Sequence, residues 1–450
     1  MKKMFLSLGN LLLISTMLVA QNEQAPKIIR TVPAFGDFNV DANLKEVIIE
    51  FDQDMGPGYS FVTTPNNPQG TGIPTWVNER TLSYPVSLSS NSFYVIQLNN
   101  SKFSSFRNKA GIALNPDQLL FHTKMVDSKA SNKKAFSELF KYFPTYYSYS
   151  EFKGIDWKKE FNSQEDKLKN VPTNLEFAVN LVSILKKAND VHIWIEVDGL
   201  KLTTGSMKIV KANYGSSKIL TSLKDIKYSE AVKAICGTME DVGYISVKEW
   251  TFDLVNSTFK SMSISNKGNI SFNEVIDELL LKPNLIIDVR ENAGGNESFA
   301  QAFASLFIRD SVAFEKVKNL NEETGKFDIE RVKWIHESDN PKKYSGKIYV
   351  LSGPSVMSSN ESFILMMKQI PNTKVVGMRS YGSSGNPRPV ELSNGVKIFI
   401  PSWQAFTLDN KLIEGNGIDP DIEIRTNTAD FTMQKDPLWE KLMEIIKTSN

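Results

Sequence analysis

The chain has 450 residues, 52 Lys+Arg against 51 Asp+Glu, one cysteine and three histidines, and 41% of it is apolar. That length predicts two to four domains, at about 100–200 residues each, with real cores, and it excludes a disordered or fibrous chain. A net charge of +1 gives no basic field for nucleic acid, Cys236 alone forms no internal disulfide or Cys-rich zinc site, and the scattered His122, His192 and His336 lack zinc-ligand spacing.

Residues 1–20 read as a signal peptide. Lys2 and Lys3 precede an apolar run from Met4 to Val19, and Ala20 offers a cleavage position, although Leu18 only half meets the small-x-small rule. An uncleaved anchor is the alternative, but the run is short for a span of about 20 apolar residues. Cleavage leaves 50 basic and 51 acidic residues, and the chain is expected to be exported, periplasmic or extracellular, meeting a membrane only during export. Residues 26–125 are predicted to be a β-sandwich. The runs Val47 to Phe51, Phe93 to Leu98 and Leu119 to His122 are separated by turn clusters such as Asp54 to Gly58 and Pro65 to Gly70. With Thr31-Val32-Pro33 and Phe51 to Met55, this stretch resembles bacterial Ig-like domains. That resemblance implies spacing or binding, with a surface partner for the module left open.

Residues 126–132 form a polar linker. A helical segment is expected over 133–189, with apolar spacing at 135–142 and 157–161. The capping box Thr173-Asn174-Leu175-Glu176 opens a helix whose apolar face carries Phe177, Leu181, Ile184 and Leu185. From 190 to 446 strands and helices alternate, with strands near 285–289, 348–351 and 374–377 and helices near 298–308 and 359–369. This predicts a parallel α/β core.

In such a core, ligands bind at the carboxyl ends of strands. The loops 290–296 and 353–358 should therefore share one rim. Ser358, at a helix start, could attack a carbonyl, with the oxyanion held by the Ser359 N–H and by Gly295 or Gly294. The alternative is that Ser358 merely caps the helix and Gly294-Gly295 is only a tight turn. A serine nucleophile needs a base, and His192 is the best of the three histidines. His122 falls in the β-domain and His336 in a charged run. Glu414 is a candidate to orient the base.

From about residue 135 onward the chain resembles peptidase family S41, the C-terminal-processing and tricorn-like serine peptidases. The motifs in order are Lys153 to Trp157, Asn189-Asp190-Val191-His192, Leu285 to Gly295, Ser358-Ser359-Asn360-Glu361, Val375 to Gly382, and Glu414 to Ile422. The resemblance implies a ClpP/crotonase-like α/β core with a helical lead-in. In the processing branch a lysine about 25 residues after the serine acts as base, but here that place holds Ser383, and no lysine lies between Lys374 and Lys397. The tricorn-like scheme of histidine, serine and glutamate maps onto His192, Ser358 and Glu414. There a serine can precede the histidine and link it to the glutamate, whereas here Val191 stands before His192. No PDZ domain is apparent. The implied function is an exported serine peptidase acting on peptides or unfolded protein through an acyl-enzyme, with no metal or other cofactor and no nucleic-acid partner. Two rival readings are a catalytically silent peptide- or glycan-binding module and a hydrolase with a lysine base from another loop.

Overall fold

The computed structural model describes residues 24–90, 92–123, 132–205, 216–262, 268–342, 344–426, 431 and 435–449. The signal segment and residues 126–131 of the linker lie outside them.

Residues 28–123 fold as two packed antiparallel-rich sheets. One contains Ile28–Val32, Glu46–Phe51 and Thr81–Ser87, with the short strands Gln69–Gly70 and Thr75–Asn78 paired to the last of these. The other runs Asp37–Val40, Asp117–Thr123, Phe93–Leu98, Phe61–Val62. Alternating inward residues such as Val47, Ile49 and Phe51 meet Ile96, Leu98 and Phe121 between the sheets.

A helical layer follows. Helix Lys133–Tyr146, helix Trp157–Ser163 and helix Asn174–Leu185 bury Phe136, Phe143, Trp157, Phe161, Phe177 and Leu181 in one cluster. The Thr173 hydroxyl accepts the Glu176 N–H at 3.1 Å, which fixes where the last helix begins. Phe93, Val95 and Leu120 of the sandwich enter the same cluster, so the layer packs against the β-domain. Its other side meets a separate antiparallel sheet ordered Leu200–Thr203, Trp194–Val197, Lys397–Pro401, Pro387–Glu391. The strand after His192 thus joins this sheet rather than the parallel core. Its alternation of buried Ile195 and Val197 with half-buried Trp194 and Glu196 suits a sheet covered on one face.

The core sheet has nine strands. Its parallel half is ordered Val242–Val247, Asn284–Asp288, Lys347–Ser352, Thr373–Gly377, Ile422–Glu423. Leu285 and Ile287 face helix Glu297–Ser305 and helix Ser359–Lys368, while Ile286 faces helix Pro437–Ser449. Burial on both faces explains the unbroken apolar run at 285–287. Asn284–Asp288 and Lys347–Ser352 are neighbours, with Asp288 opposite Leu351. The loops that follow them, 289–296 and 353–358, therefore emerge side by side at the carboxyl edge.

Candidate active site

Ser358 immediately precedes helix Ser359–Lys368 with φ 57° and ψ −134°, a backbone conformation that costs a non-glycine residue on the order of 1–3 kcal/mol. Its N–H donates to the Ser383 carbonyl at 2.8 Å and to Glu361 Oε2 at 3.2 Å. Its carbonyl, at 2.8 Å, takes the Glu361 N–H. The hydroxyl lies 3.0 Å from His192 Nε2. That is hydrogen-bond distance between a hydroxyl and an imidazole separated by 166 residues.

His192 is buried. Its backbone N–H donates to Asp190 Oδ1 at 2.9 Å, and Tyr147 donates its hydroxyl proton to Asp190 Oδ2 at 2.8 Å. Burial holds the imidazole below its ordinary value, with Asp190 pulling it up and Lys153 pushing it down. His122 and His336 lie elsewhere. The first is buried in the sandwich beside Phe38, and the second is exposed, with its Nδ1 on the Ser311 hydroxyl.

Glu414 reaches the neighbourhood but bonds to other groups than the ring. Its Oε1 accepts from Lys153 Nζ at 2.9 Å and its Oε2 from the Ser384 N–H at 3.1 Å. Burial, reinforced by Asp190, pushes its carboxyl up to about 7. The partner of His192 Nδ1 is instead the Ser383 hydroxyl, at 3.0 Å. Ser383 sits in a turn clamped by Glu361, whose carboxylate accepts from Ser380 Oγ (2.6 Å), the Gly382 N–H (2.8 Å) and the Ser383 N–H (3.0 Å). Burial pushes Glu361 up to about 8 against these donors.

The glycine loop lies against Ser358. A Cβ on Gly294 would fall 2.8 Å from Ser358 Cβ and 2.9 Å from the Met357 carbonyl, at φ +103°, so only glycine fits. The Gly294 N–H is taken by Asn292 Oδ1 at 2.8 Å. Among the described residues the Gly295 and Ser359 N–H groups carry no such bond, so of the two glycines Gly295 has the donor to spare. The loop is held from behind by Asn360. Its amide donates to the Val289 and Asn292 carbonyls at 3.1 and 2.9 Å, and its Oδ1 accepts Trp250 Nε1 at 3.1 Å. The Trp250 backbone pairs in turn with Gly294 O at 3.0 Å and the Asn296 N–H at 2.7 Å. Deeper still, the buried Arg290 binds Asp288 through two nitrogens (2.9 and 2.7 Å) and Asp436 at 2.9 Å. Asp436 itself accepts the Trp439 N–H, which ties the loop's base to the C-terminal helix.

Among the described residues no group of three or more His, Cys, Asp or Glu is placed to hold a metal ion. Cys236 is buried far along the core sheet in Ala234–Thr238, and burial pushes its thiol up to about 12, so it is no thiolate nucleophile.

The structure thus brings Ser358, His192, Gly294, Gly295 and Ser359 together and sets Glu414 one residue beyond the histidine's partner. Asp190, Ser383, Glu361, Asn360 and Trp250 carry the geometry, although the sequence alone assigns them no role. For Ser383 a signal existed, since it occupies the place where the Ser–Lys scheme has its base.

With this geometry in view, residues 241–424 match the sequence profile of peptidase family S41. Over 143 residues the chain is 29% identical to a Staphylococcus epidermidis protein named "Probable CtpA-like serine protease", covering 32% of this chain and 28% of that protein. It is 21% identical over 265 residues to the tricorn protease of Thermoplasma volcanium, covering 56% of this chain and 24% of that one. The matches therefore span about a quarter of those relatives' lengths. A Parabacteroides merdae crystal structure shares the fold at a TM-score of 0.57 and 19% identity, over 71% of this chain and 97% of that one. His192 lies outside the matched 241–424 segment, so the imidazole beside Ser358 comes from the stretch that follows the helical layer. Among the described residues no helix is long and apolar enough to cross a membrane.

Proposed function

We propose that this protein is a serine peptidase that cleaves peptide or unfolded-protein substrates through an acyl-enzyme. The observation that carries the reading is the 3.0 Å approach of His192 Nε2 to the Ser358 hydroxyl, beside two N–H groups that have no partner among the described residues. In the proposed reaction Nε2 takes the Ser358 proton as Oγ attacks the substrate carbonyl. The Gly295 and Ser359 N–H groups receive the oxyanion, aided by the positive end of helix Ser359–Lys368. The imidazolium returns its proton to the leaving amine, and water, deprotonated by the same nitrogen, releases the acyl group. Glu414 supports the base indirectly, holding the Ser383–Ser384 turn through the Ser384 N–H. A lysine base finds less support: Lys153, whose charge is felt at His192, is paired with Glu414 at 2.9 Å.

Export of the chain through residues 1–20, a periplasmic or extracellular location, and an Ig-like spacing or binding role for residues 26–125 belong to the same proposal. The two-sheet sandwich supports the last of these. The test uses purified protein with an unstructured fluorogenic peptide and a fluorophosphonate probe. Hydrolysis and labelling should both fall by at least about 10³-fold in Ser358→Ala, and hydrolysis similarly in His192→Ala. Equal turnover in all three proteins would overturn the assignment, and peptide binding without turnover in the wild type would favour a silent binding module.

A further inference from the structure

We infer that Ser383 is a positioning residue that fixes the ring orientation and tautomer of His192, a task that no carboxylate among the described residues performs by direct contact. The inference rests on the serine-peptidase reading of the site. For His192 to act as a base, Nε2 must present a lone pair to Ser358, so in the neutral ring the proton sits on Nδ1 and needs an acceptor. The charged and titratable groups packed around the ring are already committed. Asp190 accepts the His192 backbone N–H and the Tyr147 hydroxyl, Glu414 accepts Lys153 and the Ser384 N–H, and Glu361 accepts the Ser380–Ser383 turn and the Ser358 N–H. Among the described residues the Ser383 hydroxyl, 3.0 Å away, is the group on Nδ1.

The rest of Ser383 is fixed as firmly as its hydroxyl. Its N–H is held by Glu361 at 3.0 Å, its carbonyl takes the Ser358 N–H at 2.8 Å, and the residue is 3% exposed. One residue therefore grips the nucleophile by its backbone and the base by its side chain. The Oγ-to-Nε2 alignment is set by a single rigid turn rather than by two independent loops. A neutral hydroxyl also orients the ring without adding a negative charge beside it, which suits an imidazole that burial keeps uncharged.

The chain's three histidines make the test direct. The full-length protein is labelled with ¹⁵N-histidine, and His192 is assigned by the resonances lost in His192→Gln. Above pH 8 the wild type should show the proton on Nδ1 and the lone pair on Nε2. Ser383→Ala should redistribute the proton between the two nitrogens, and Ser383→Thr, which keeps the hydroxyl, should restore the wild-type pattern. Ser383→Cys, close in shape but a weaker acceptor, should show the same redistribution at smaller extent and serves if the alanine variant does not fold. On the peptide substrate, Ser383→Ala should lower kcat by about 10²-fold with little change in KM, as expected when the reacting groups are misaligned by about 1 Å. An unchanged Nδ1–H population in Ser383→Ala and Ser383→Cys would overturn this inference, whatever the activity. Equal turnover by wild type and Ser358→Ala would instead overturn the peptidase reading.

Discussion

Asn360→Ala tests whether the glycine loop is positioned from behind. Asn360 is fully buried between that loop and Trp250. Truncation removes three hydrogen bonds, and they are not equivalent. The Val289 carbonyl keeps the Asn292 N–H at 3.0 Å, so it forfeits only an additional bond, about 0.5–1.5 kcal/mol. The Asn292 carbonyl and the Trp250 indole N–H lose partners at 2.9 and 3.1 Å inside the core, and each buried group left unpaired costs about 1–3 kcal/mol. The sum is about 2.5–7.5 kcal/mol against a whole-domain stability of about 5–15 kcal/mol, so the variant should fold but melt early. Its loop, no longer held at 289–292, should carry the Gly295 N–H out of line and cost about 10–10²-fold in kcat. Urea denaturation and peptide kinetics read the two effects. A cycle with Trp250→Phe isolates the indole bond: Asn360→Ala should cost about 1–3 kcal/mol less in the Trp250→Phe background, because no orphaned indole N–H remains. A cost under about 1 kcal/mol with wild-type kcat would refute the claim that Asn360 holds this loop.

Four further outcomes follow from the same geometry. Because burial holds His192 below its ordinary 6.5, kcat/KM should rise on a limb lying below that pH and stay flat above about 7, whereas activity still climbing above about pH 9 would point to a lysine base. The unfolded imidazole binds its proton near 6.5 and the folded one only at lower pH, so stability should be lost as pH falls through that interval, and His192→Gln should remove the loss in urea titrations. Glu414 carries the opposite sign: its folded carboxyl is pushed from 4.5 up to about 7, so the folded state holds more protons across that window and stability should decline as pH rises through it; an unchanged slope in Glu414→Gln would count against the burial argument. Gly294→Ala should lose at least about 10²-fold in kcat because its methyl collides with Ser358, while Gly325→Ala, at φ +67° with nothing within 4 Å of the added carbon, should keep full kcat at a modest cost in stability.

The fold was legible wherever burial imposes a period. The run Leu285-Ile286-Ile287 reads as a strand covered on both faces, and the Thr173–Glu176 cap marks a helix start that the structure reproduces to the residue. The chain after His192 was less legible. Trp194–Val197 alternates like any half-buried strand, and nothing local says that its partner is Lys397–Pro401, some 200 residues on. The same limit applies at the site. Ser358 and the glycine pair announce themselves through turn chemistry, a local property. Ser383 touching Nδ1, or Asn360 reaching Val289, depends on which loops meet at the sheet edge, and pairing of distant strands decides that.

Composition left hydroxyls, carboxylates, lysines and one histidine to do any chemistry, and the structure supplies a reason why that set can suffice. Three buried carboxylates, Asp190, Glu361 and Glu414, crowd around the base, and among the described residues Lys153 is the cation bonded to any of them. Burial pushes the Glu414 and Glu361 carboxyls up, and repulsion adds to it, from Asp190 on Glu414 and from Glu414 on Glu361. A site so short of positive charge disfavours another anion but favours a cation. In the proposed reaction, moving the Ser358 proton onto His192 would create that cation beside Asp190, while the negative charge would develop on the far side of Ser358, at the Gly295 and Ser359 N–H groups. Charge separation in the tetrahedral intermediate is thus aligned with a field already present in the resting protein. The imidazolium gains from Asp190 through space, at a contact made with its backbone rather than its ring. The hydroxyl of Ser383 needs only to aim the ring, and a neutral aiming group leaves the base uncharged until the serine proton arrives.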